Sequence, residues 1–247
     1  MNNEINKLTE LFNGIKEKGW TKSNFNGDGQ CGRLFEELIG NNENSFQVPD
    51  YNGIEIKTKQ SIIEKYITLF SYSPEGNHIL ECERIKDTYG YPDKKCPSYK
   101  VLNLSIYNNM ATKVGDQYIF FPTIDISNKK IVLNIYDINL NLLENNIHWD
   151  FDEIEKIMIR KMSYLAFVSA EKKYENGNYY FKYNNIEFYK YKGFDYFMRA
   201  FKICKIRITF KLNIYKYGNK LGKIHDHGTS FDIRADKLNL IYDTIEQ

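Results

Sequence analysis

The chain has 247 residues, of which 42% are apolar and 15% aromatic, so it is long enough to bury a substantial core. No run of about 18 apolar residues occurs, and the polar start MNNEINKLTELFNG does not resemble a signal peptide, so we expect a cytoplasmic protein without a membrane span. The four cysteines form no C-x-x-C pair, which argues against a zinc site or a disulfide framework, and the net charge of +2 gives no general attraction to a polyanion.

The hydrophobic pattern predicts a mixed α/β (α+β) fold. Helices are predicted where apolar residues recur every three or four positions, and strands where they alternate with polar residues. The predicted helices cover residues 4–18, 32–39, 150–162 and 194–201. The predicted strands cover 53–58, 66–72, 99–107, 118–126, 130–136, 164–170 and 204–215, with a turn at 41–45 and a hairpin at 179–190.

A glycine-rich segment, NGDGQCGRLFEELIG at residues 26–40, opens the second predicted helix. Gly27, Gly29 and Gly32 have the spacing G-x-G-x-x-G, which in dinucleotide-binding folds follows an apolar strand. Here the preceding KGWTKSNFN is too polar for a central strand, and the helix is too short for a crossover. The loop is therefore predicted to approach a phosphate other than that of a dinucleotide, or to be a simple turn. A nucleotide-dependent oxidoreductase is an alternative.

Two carboxylates and a lysine follow in VPDYNGIEIKTK, residues 48–59. Asp50 precedes a tight turn, and Glu55 and Lys57 leave the same face of the next strand. Carboxylates held together favour a cation, and Asp50, Glu55 and the carbonyl of Ile56 are oxygen ligands that suit Mg2+. A metal-bound water can attack a phosphodiester, and Lys57 would orient that water or offset the developing negative charge.

Glu36, on the helix after the glycines, would add a further carboxylate to this group. The glycine loop would then let a DNA backbone approach the helix start. The alternative is an ordinary hairpin whose exposed Glu and Lys form a cross-strand charge pair. The pattern of Pro-Asp followed by Glu-x-Lys does not by itself distinguish the two.

A basic segment lies near the end of the chain. From Arg199 to His225 there are eight Lys or Arg and no Asp or Glu. On the predicted strand 204–215, Arg207 and Lys211 lie on the face opposite the apolar one, which is typical of a surface that contacts phosphates. A solvated strand face is the alternative.

These motifs occur in a familiar order. The glycine loop, FEELIG, PDYNGIEIKTK and ITLFSYSP, then YLAFVSAEKKYENGNYYFKYNNIEF and GKIHDHGTSFDI, resemble the MvaI/BcnI family of type II restriction endonucleases, which belong to the PD-(D/E)xK nucleases and are similar to the nickase MutH. The resemblance covers most of the chain and is weakest over about 75–141. It implies a PD-(D/E)xK mixed sheet flanked by helices in a single endonuclease domain, 1–247. Within it, a catalytic lobe centred on 26–75 and a recognition lobe centred on 160–235 would form a DNA-binding cleft.

The resemblance also implies a monomeric, Mg2+-dependent enzyme that cuts double-stranded DNA one strand at a time at a short pseudo-palindromic site. A cognate DNA methyltransferase would be its genetic partner. Carried over by position, Glu36, Asp50, Glu55 and Lys57 form the active site, and Asp50 and Glu55 are the main metal ligands.

The segment KIHDHGTSF has three readings. His225 and His227 could bind a metal, could be polar residues at a strand end, or, as the resemblance implies, could face a DNA groove in which Asp226 accepts from cytosine. The predicted DNA contacts are Gly29, Lys59, Arg207, Lys211, Lys223, His225, Asp226, His227 and Thr229. A MutH-like strand-nicking enzyme and a catalytically inactive DNA-binding protein are the alternatives.

Overall fold

The computed structural model describes residues 1–27, 29–40, 48–60 and 66–246. The chain divides into two compact units, a first unit of Met1–Ile67, Ile157–Gly193 and Leu238–Gln247, and a second unit of Thr68–Lys156 and Phe194–Lys237. The predicted lobe centred on 160–235 is thus divided between the two units. The turn predicted at 41–45 lies outside the described residues.

Helices and strands alternate irregularly along the described chain. The helices are Asn2–Lys18 (α1), Gln30–Leu38 (α2), His78–Tyr89 (α3), Phe151–Met162 (α4) and Phe194–Lys202 (α5). The strands are Thr21–Lys22 (β1), Glu55–Gln60 (β2), Tyr66–Ser71 (β3), Tyr91–Pro92 (β4), Lys100–Ile106 (β5), Thr112–Val114 (β6), Tyr118–Asp125 (β7), Lys130–Asp137 (β8), Leu142–Asp150 (β9), Tyr164–Glu175 (β10), Asn178–Tyr191 (β11), Ile206–Ile214 (β12), Ile224–Arg234 (β13) and Tyr242–Ile245 (β14). Within this part of the chain, no helix combines the length and apolar character needed to cross a membrane.

The first unit contains a five-stranded sheet in the order β1-β11-β10-β2, with β14 paired to β11. β2 runs parallel to β10, from the pair Leu165 and Glu55 to the pair Ala170 and Gln60, whereas the other pairs are antiparallel. Helix α1 buries Ile5, Leu8, Phe12 and Ile15 because these residues recur on one helical face. The core of the first unit is therefore built from α1, α2 and this sheet.

Helix α2 is fixed to the sheet through aromatic side chains. The ring centroids of Phe35 and Tyr183 are 5.1 Å apart, and those of Phe12 and Phe35 are 6.4 Å apart. The hydroxyl of Tyr183 donates to the carbonyl of Cys31 at 2.8 Å, which joins β11 to the start of α2. These contacts hold the glycine-rich start of α2 beside the sheet that contains β2.

The predicted hairpin at 179–190 is wrong, because these residues form one continuous strand, β11. The hairpin is instead made by β10 and β11, and its turn is at Asn176 and Gly177. Both have positive φ, 51° and 77°, as a two-residue hairpin turn requires, and Asn-Gly is the sequence that adopts it most readily.

The second unit contains two sheets, β3-β13-β12-β5-β4 and β6-β7-β8-β9. Strand β12 alternates as predicted, with Ile206, Ile208, Phe210 and Leu212 buried and the residues between them half-buried. Among the elements that the sequence prediction omitted are α3 and β9. Helix α3 buries Cys82 and Ile85 but has a weakly amphipathic pattern, and β9 is exposed over its first half, which obscured both patterns.

Candidate active site

The predicted catalytic segment begins with a tight turn. The backbones of Tyr51 and Ile54 exchange two hydrogen bonds, of 2.9 and 2.7 Å, across Asn52 and Gly53. Asn52 and Gly53 both have positive φ, 42° and 90°, which is typical of a two-residue hairpin turn. The turn returns Asp50 to the start of β2, where its Oδ2 accepts from the backbone N–H of Ile56 at 2.8 Å.

Glu55 is buried in the first unit. Its side chain is 1% exposed, and the ammonium of Lys57 lies 2.5 Å from its Oε1. A second ammonium, that of Lys161 on α4, lies 3.4 Å from the same oxygen. The other oxygen, Oε2, is buried without a hydrogen-bond partner. The pair of Glu55 and Lys57 is therefore not the exposed charge pair of an ordinary hairpin.

The charge of Glu55 is incompletely compensated. Burial raises the pKa of Glu55, Lys57 lowers it, Asp50 raises it and Lys161 lowers it, and the balance is a raised pKa. An ionised carboxylate in this position needs additional positive charge. The buried oxygen without a partner fits a cation as the missing group, because buried polar atoms are otherwise almost always paired.

The described residues include no group of three or more His, Cys, Asp or Glu side chains that could hold a metal ion. Glu36 is therefore not gathered with Asp50 and Glu55 into such a group. Two carboxylates and a backbone carbonyl still suit Mg2+, because this ion keeps several water ligands and is commonly held by one or two carboxylates. The donor set that fits it here is Asp50, Glu55 and the carbonyl of Ile56.

A cavity of about 240 Å³ separates the start of α2 from β2. Its lining includes Gly29, Gly32, Glu36, Lys57 and Thr58. A Cβ atom at Gly32 would lie 3.3 Å from Oγ1 of Thr58 and 3.8 Å from Oε1 of Glu36, so the absence of a side chain keeps this space open. The loop and Glu36 thus border the same cavity as Lys57.

The start of α2 is also suited to an anion. Its N-cap, Gly29, provides no side-chain hydrogen bond, and the first turn contains no acidic residue. Backbone N–H groups at such a helix start attract negative charge. Lys59 lies further along β2, on the same face as Lys57, and is half-buried.

The predicted DNA contacts near the C-terminus belong to the second unit. Arg207 and Lys211 are half-buried on the polar face of β12, and Lys223 is exposed beside Gly222. The ring centroids of His225 and Tyr215 are 4.4 Å apart.

The remaining predicted contacts are on β13. Thr229 is fully buried, and its hydroxyl donates to the carbonyl of Tyr72, so this side chain packs inside the unit. The backbones of Asp226 and His227 belong to β13, but their side chains lie outside the described part of the structure.

Lys161 is the residue near the site that the sequence prediction missed. It is far from β2 in the sequence, on a helix that was predicted only from its apolar face. The one available signal was its place in the last turn of α4, just before the strand that pairs with β2.

Known proteins resemble this chain over nearly its whole length. A model of the MvaI/BcnI restriction endonuclease family matches residues 9–242. The structure of a restriction endonuclease MvaI–cognate DNA substrate complex is similar to this chain, with a TM-score of 0.90 and 28% identity over 99% of this chain and 98% of that one. The structure of MvaI in the absence of DNA gives a TM-score of 0.62 at the same identity and coverage. A comparison with curated protein sequences finds no match.

Proposed function

Because the chain belongs to the MvaI/BcnI restriction endonuclease family, a family of site-specific DNA nucleases, we propose that it hydrolyses phosphodiester bonds of double-stranded DNA in a Mg2+-dependent reaction. The observation that carries this proposal is the buried, partnerless Oε2 of Glu55 beside the ammonium of Lys57. Restriction endonucleases generally use a divalent metal. The Oε2 atom of Glu55 would coordinate such an ion, which would give this oxygen its missing partner.

Each residue has a distinct role in the proposed reaction. Asp50, Glu55 and the carbonyl of Ile56 would hold the metal, which would supply a water of lowered pKa and positive charge beside the phosphate. Lys57 orients the attacking water and stabilises negative charge on the phosphoryl oxygens. Lys161 contributes a second positive charge to the carboxylate of Glu55.

The cavity beside α2 receives the DNA backbone in this proposal. Gly29 brings the helix start close to a phosphate, and Gly32 leaves room for it beside Glu36. Lys59 extends the positive charge along β2. The first unit would thus be the catalytic lobe.

The second unit would contribute DNA recognition. Arg207, Lys211 and Lys223 would contact DNA through their positive charges, and His225, with Asp226 and His227, would face a groove. As the family resemblance implies, the enzyme would act as a monomer on a short pseudo-palindromic site. Because a monomer has one set of catalytic residues, it would cut one strand and then the other. A cognate DNA methyltransferase would protect the same site in host DNA.

Plasmid cleavage tests the proposal. Purified protein is incubated with supercoiled plasmid in Mg2+, and separately in Ca2+ and in EDTA, and the fragment ends are sequenced. We expect discrete Mg2+-dependent fragments that share one short site. Nicked circles alone would favour the MutH-like strand-nicking enzyme, and binding with no cleavage in Mg2+ would favour an inactive DNA-binding protein.

Two variants test the assigned site. Asp50→Asn and Lys57→Met should lose nearly all cleavage while keeping DNA binding, measured by mobility shift in Ca2+. A normal cleavage rate in either variant would show that the catalytic residues are assigned wrongly.

A further inference from the structure

The sheet β3-β13-β12-β5-β4 of the second unit has one polar face. Arg207, Thr209 and Lys211 alternate with the buried apolar residues of β12. In the register of the sheet, Arg207 pairs with Asp232 and Thr209 with Ser230 on β13. Directly paired residues of antiparallel strands lie on the same face, so the polar face is continuous across these strands.

A carboxylate is buried at the centre of this face. Asp232 is 2% exposed. Its Oδ1 accepts from the hydroxyls of Thr68, at 2.9 Å, and Ser230, at 2.8 Å. Its Oδ2 accepts from the hydroxyl of Thr209, at 2.6 Å, and from Nε of Arg207, at 3.3 Å. Both oxygens are therefore saturated by donors from three strands.

The network extends one residue further. Oγ of Ser105, on β5, lies 3.0 Å from Oγ1 of Thr209. The single proton of the Thr209 hydroxyl is donated to Asp232, so Ser105 must donate to Thr209. The hydrogen bonds thus point from Ser105 and Thr209 towards the carboxylate, which leaves Asp232 little freedom to move.

Stability alone does not explain this arrangement. Apolar residues of similar size often replace a buried charged network with no loss of stability. What the network does supply is a fixed guanidinium, because Arg207 is held at Nε while its side chain remains 22% exposed. A residue that contacts only phosphate needs no such support, whereas one that reads a base must be held to within a fraction of an ångström.

We propose that Arg207 reads the edge of a base in the recognition site and that Asp232 is the positioning residue that orients it. This inference rests on the proposed function. It assigns a base-reading residue to β12, for which the sequence alone predicted only phosphate contacts. Guanine fits best, because arginine donates to its O6 and N7 acceptors. Lys211 lies four residues further along β12 on the same face, and it would contact only phosphate.

The test measures discrimination between sites. Once the recognition sequence is known from fragment ends, cleavage rates are measured on a set of duplexes that each carry one altered base pair. Discrimination is the ratio of the cleavage rate on the recognition site to the rate on an altered site. We expect this ratio to fall about tenfold to a hundredfold in Arg207→Lys and in Asp232→Asn, at the same base pair in both variants. The double variant should lose no more than either single variant, because Asp232 acts through Arg207.

A second Arg and Asp pair in the same unit provides the matched control. Arg234 and Asp236 are also joined through Nε, at 2.9 Å, but both are exposed. Arg234→Lys and Asp236→Asn should leave discrimination unchanged at every base pair. If Asp232→Asn does not fold, as judged by thermal melting, Arg207→Lys decides the matter.

Three results would overturn the inference. Unchanged discrimination in Arg207→Lys would show that Arg207 does not contact a base, and the proposed nuclease function would still stand. A uniform loss of binding at all positions would make Arg207 a phosphate contact. Additive losses at different base pairs would show that Asp232 does not act through Arg207. Absence of cleavage and binding by the unaltered chain would instead overturn the proposed function, and this inference with it.

Discussion

Replacing Gly32 with alanine should make the protein more stable and less active. Gly32 lies in helix α2 without a positive φ, so alanine gains helix propensity of about 0.8–1.0 kcal/mol. The new methyl lies 3.3 Å from Oγ1 of Thr58, so Thr58 must move by a few tenths of an ångström. We expect a net gain of roughly 0.5 kcal/mol in the free energy of unfolding.

The same methyl enters the cavity that is lined by Glu36 and Lys57. If the DNA backbone occupies this cavity, it is displaced, and misplacement by about 1 Å can cost on the order of a hundredfold in rate. We therefore expect single-turnover cleavage in Mg2+ to fall at least about tenfold.

Gly14→Ala is the matched control. Gly14 is also helical, in α1, and a Cβ atom there meets nothing within 4 Å. This variant should gain a similar stability in urea unfolding and cleave at the normal rate. Normal cleavage by Gly32→Ala, with the stability gain present, would refute the placement of the DNA backbone in the cavity.

Three further predictions address charge. Lys161→Met should slow cleavage about tenfold to a hundredfold, because the buried carboxylate of Glu55 loses a cation 3.4 Å away. Lys161→Arg should restore the cleavage rate. Lys156→Met, on the exposed face of the same helix, should not alter the rate. Lys211→Gln should reduce the slope of log binding constant against log salt concentration by about 0.9, and an unchanged slope would exclude a phosphate contact. Burial alone would raise the pKa of Glu144, but hydrogen bonds from Arg84 and Tyr89 lower it overall. Glu144→Gln should therefore cost about 1–3 kcal/mol in urea unfolding at pH 7, and the cost should shrink as pH falls below the ordinary glutamate pKa of 4.5. A cost that is independent of pH would contradict this assignment.

The sequence predicted those features that depend on neighbouring residues. The alternation of β12 and the apolar face of α1 are local patterns, and both were confirmed by the burial of their residues. The proximity of Glu55 and Lys57 followed from their spacing on one strand, and their ammonium and carboxylate are in contact.

Features made by distant segments were not accessible in this way. No local pattern brings Lys161 to Glu55, because their contact depends on the packing of α4. The depth of Glu55 was also unforeseen, since alternation along β2 predicts an exposed face that the surrounding structure covers. The turn at Asn176 and Gly177 was locally readable, but the long strands on both sides of it were assigned separately.

The parallel pairing of β2 and β10 has a consequence for biosynthesis. Among the described residues, β2 (55–60) pairs with residues 165–170 of β10, and the cost of closing so long a loop must be met before the pair forms. A nascent chain that ends before β10 therefore holds the acidic residues and the lysine without the strand that orders them. We expect chains that end before β10 to be inactive, so nuclease activity would arise only after the polypeptide had been synthesised past residue 170.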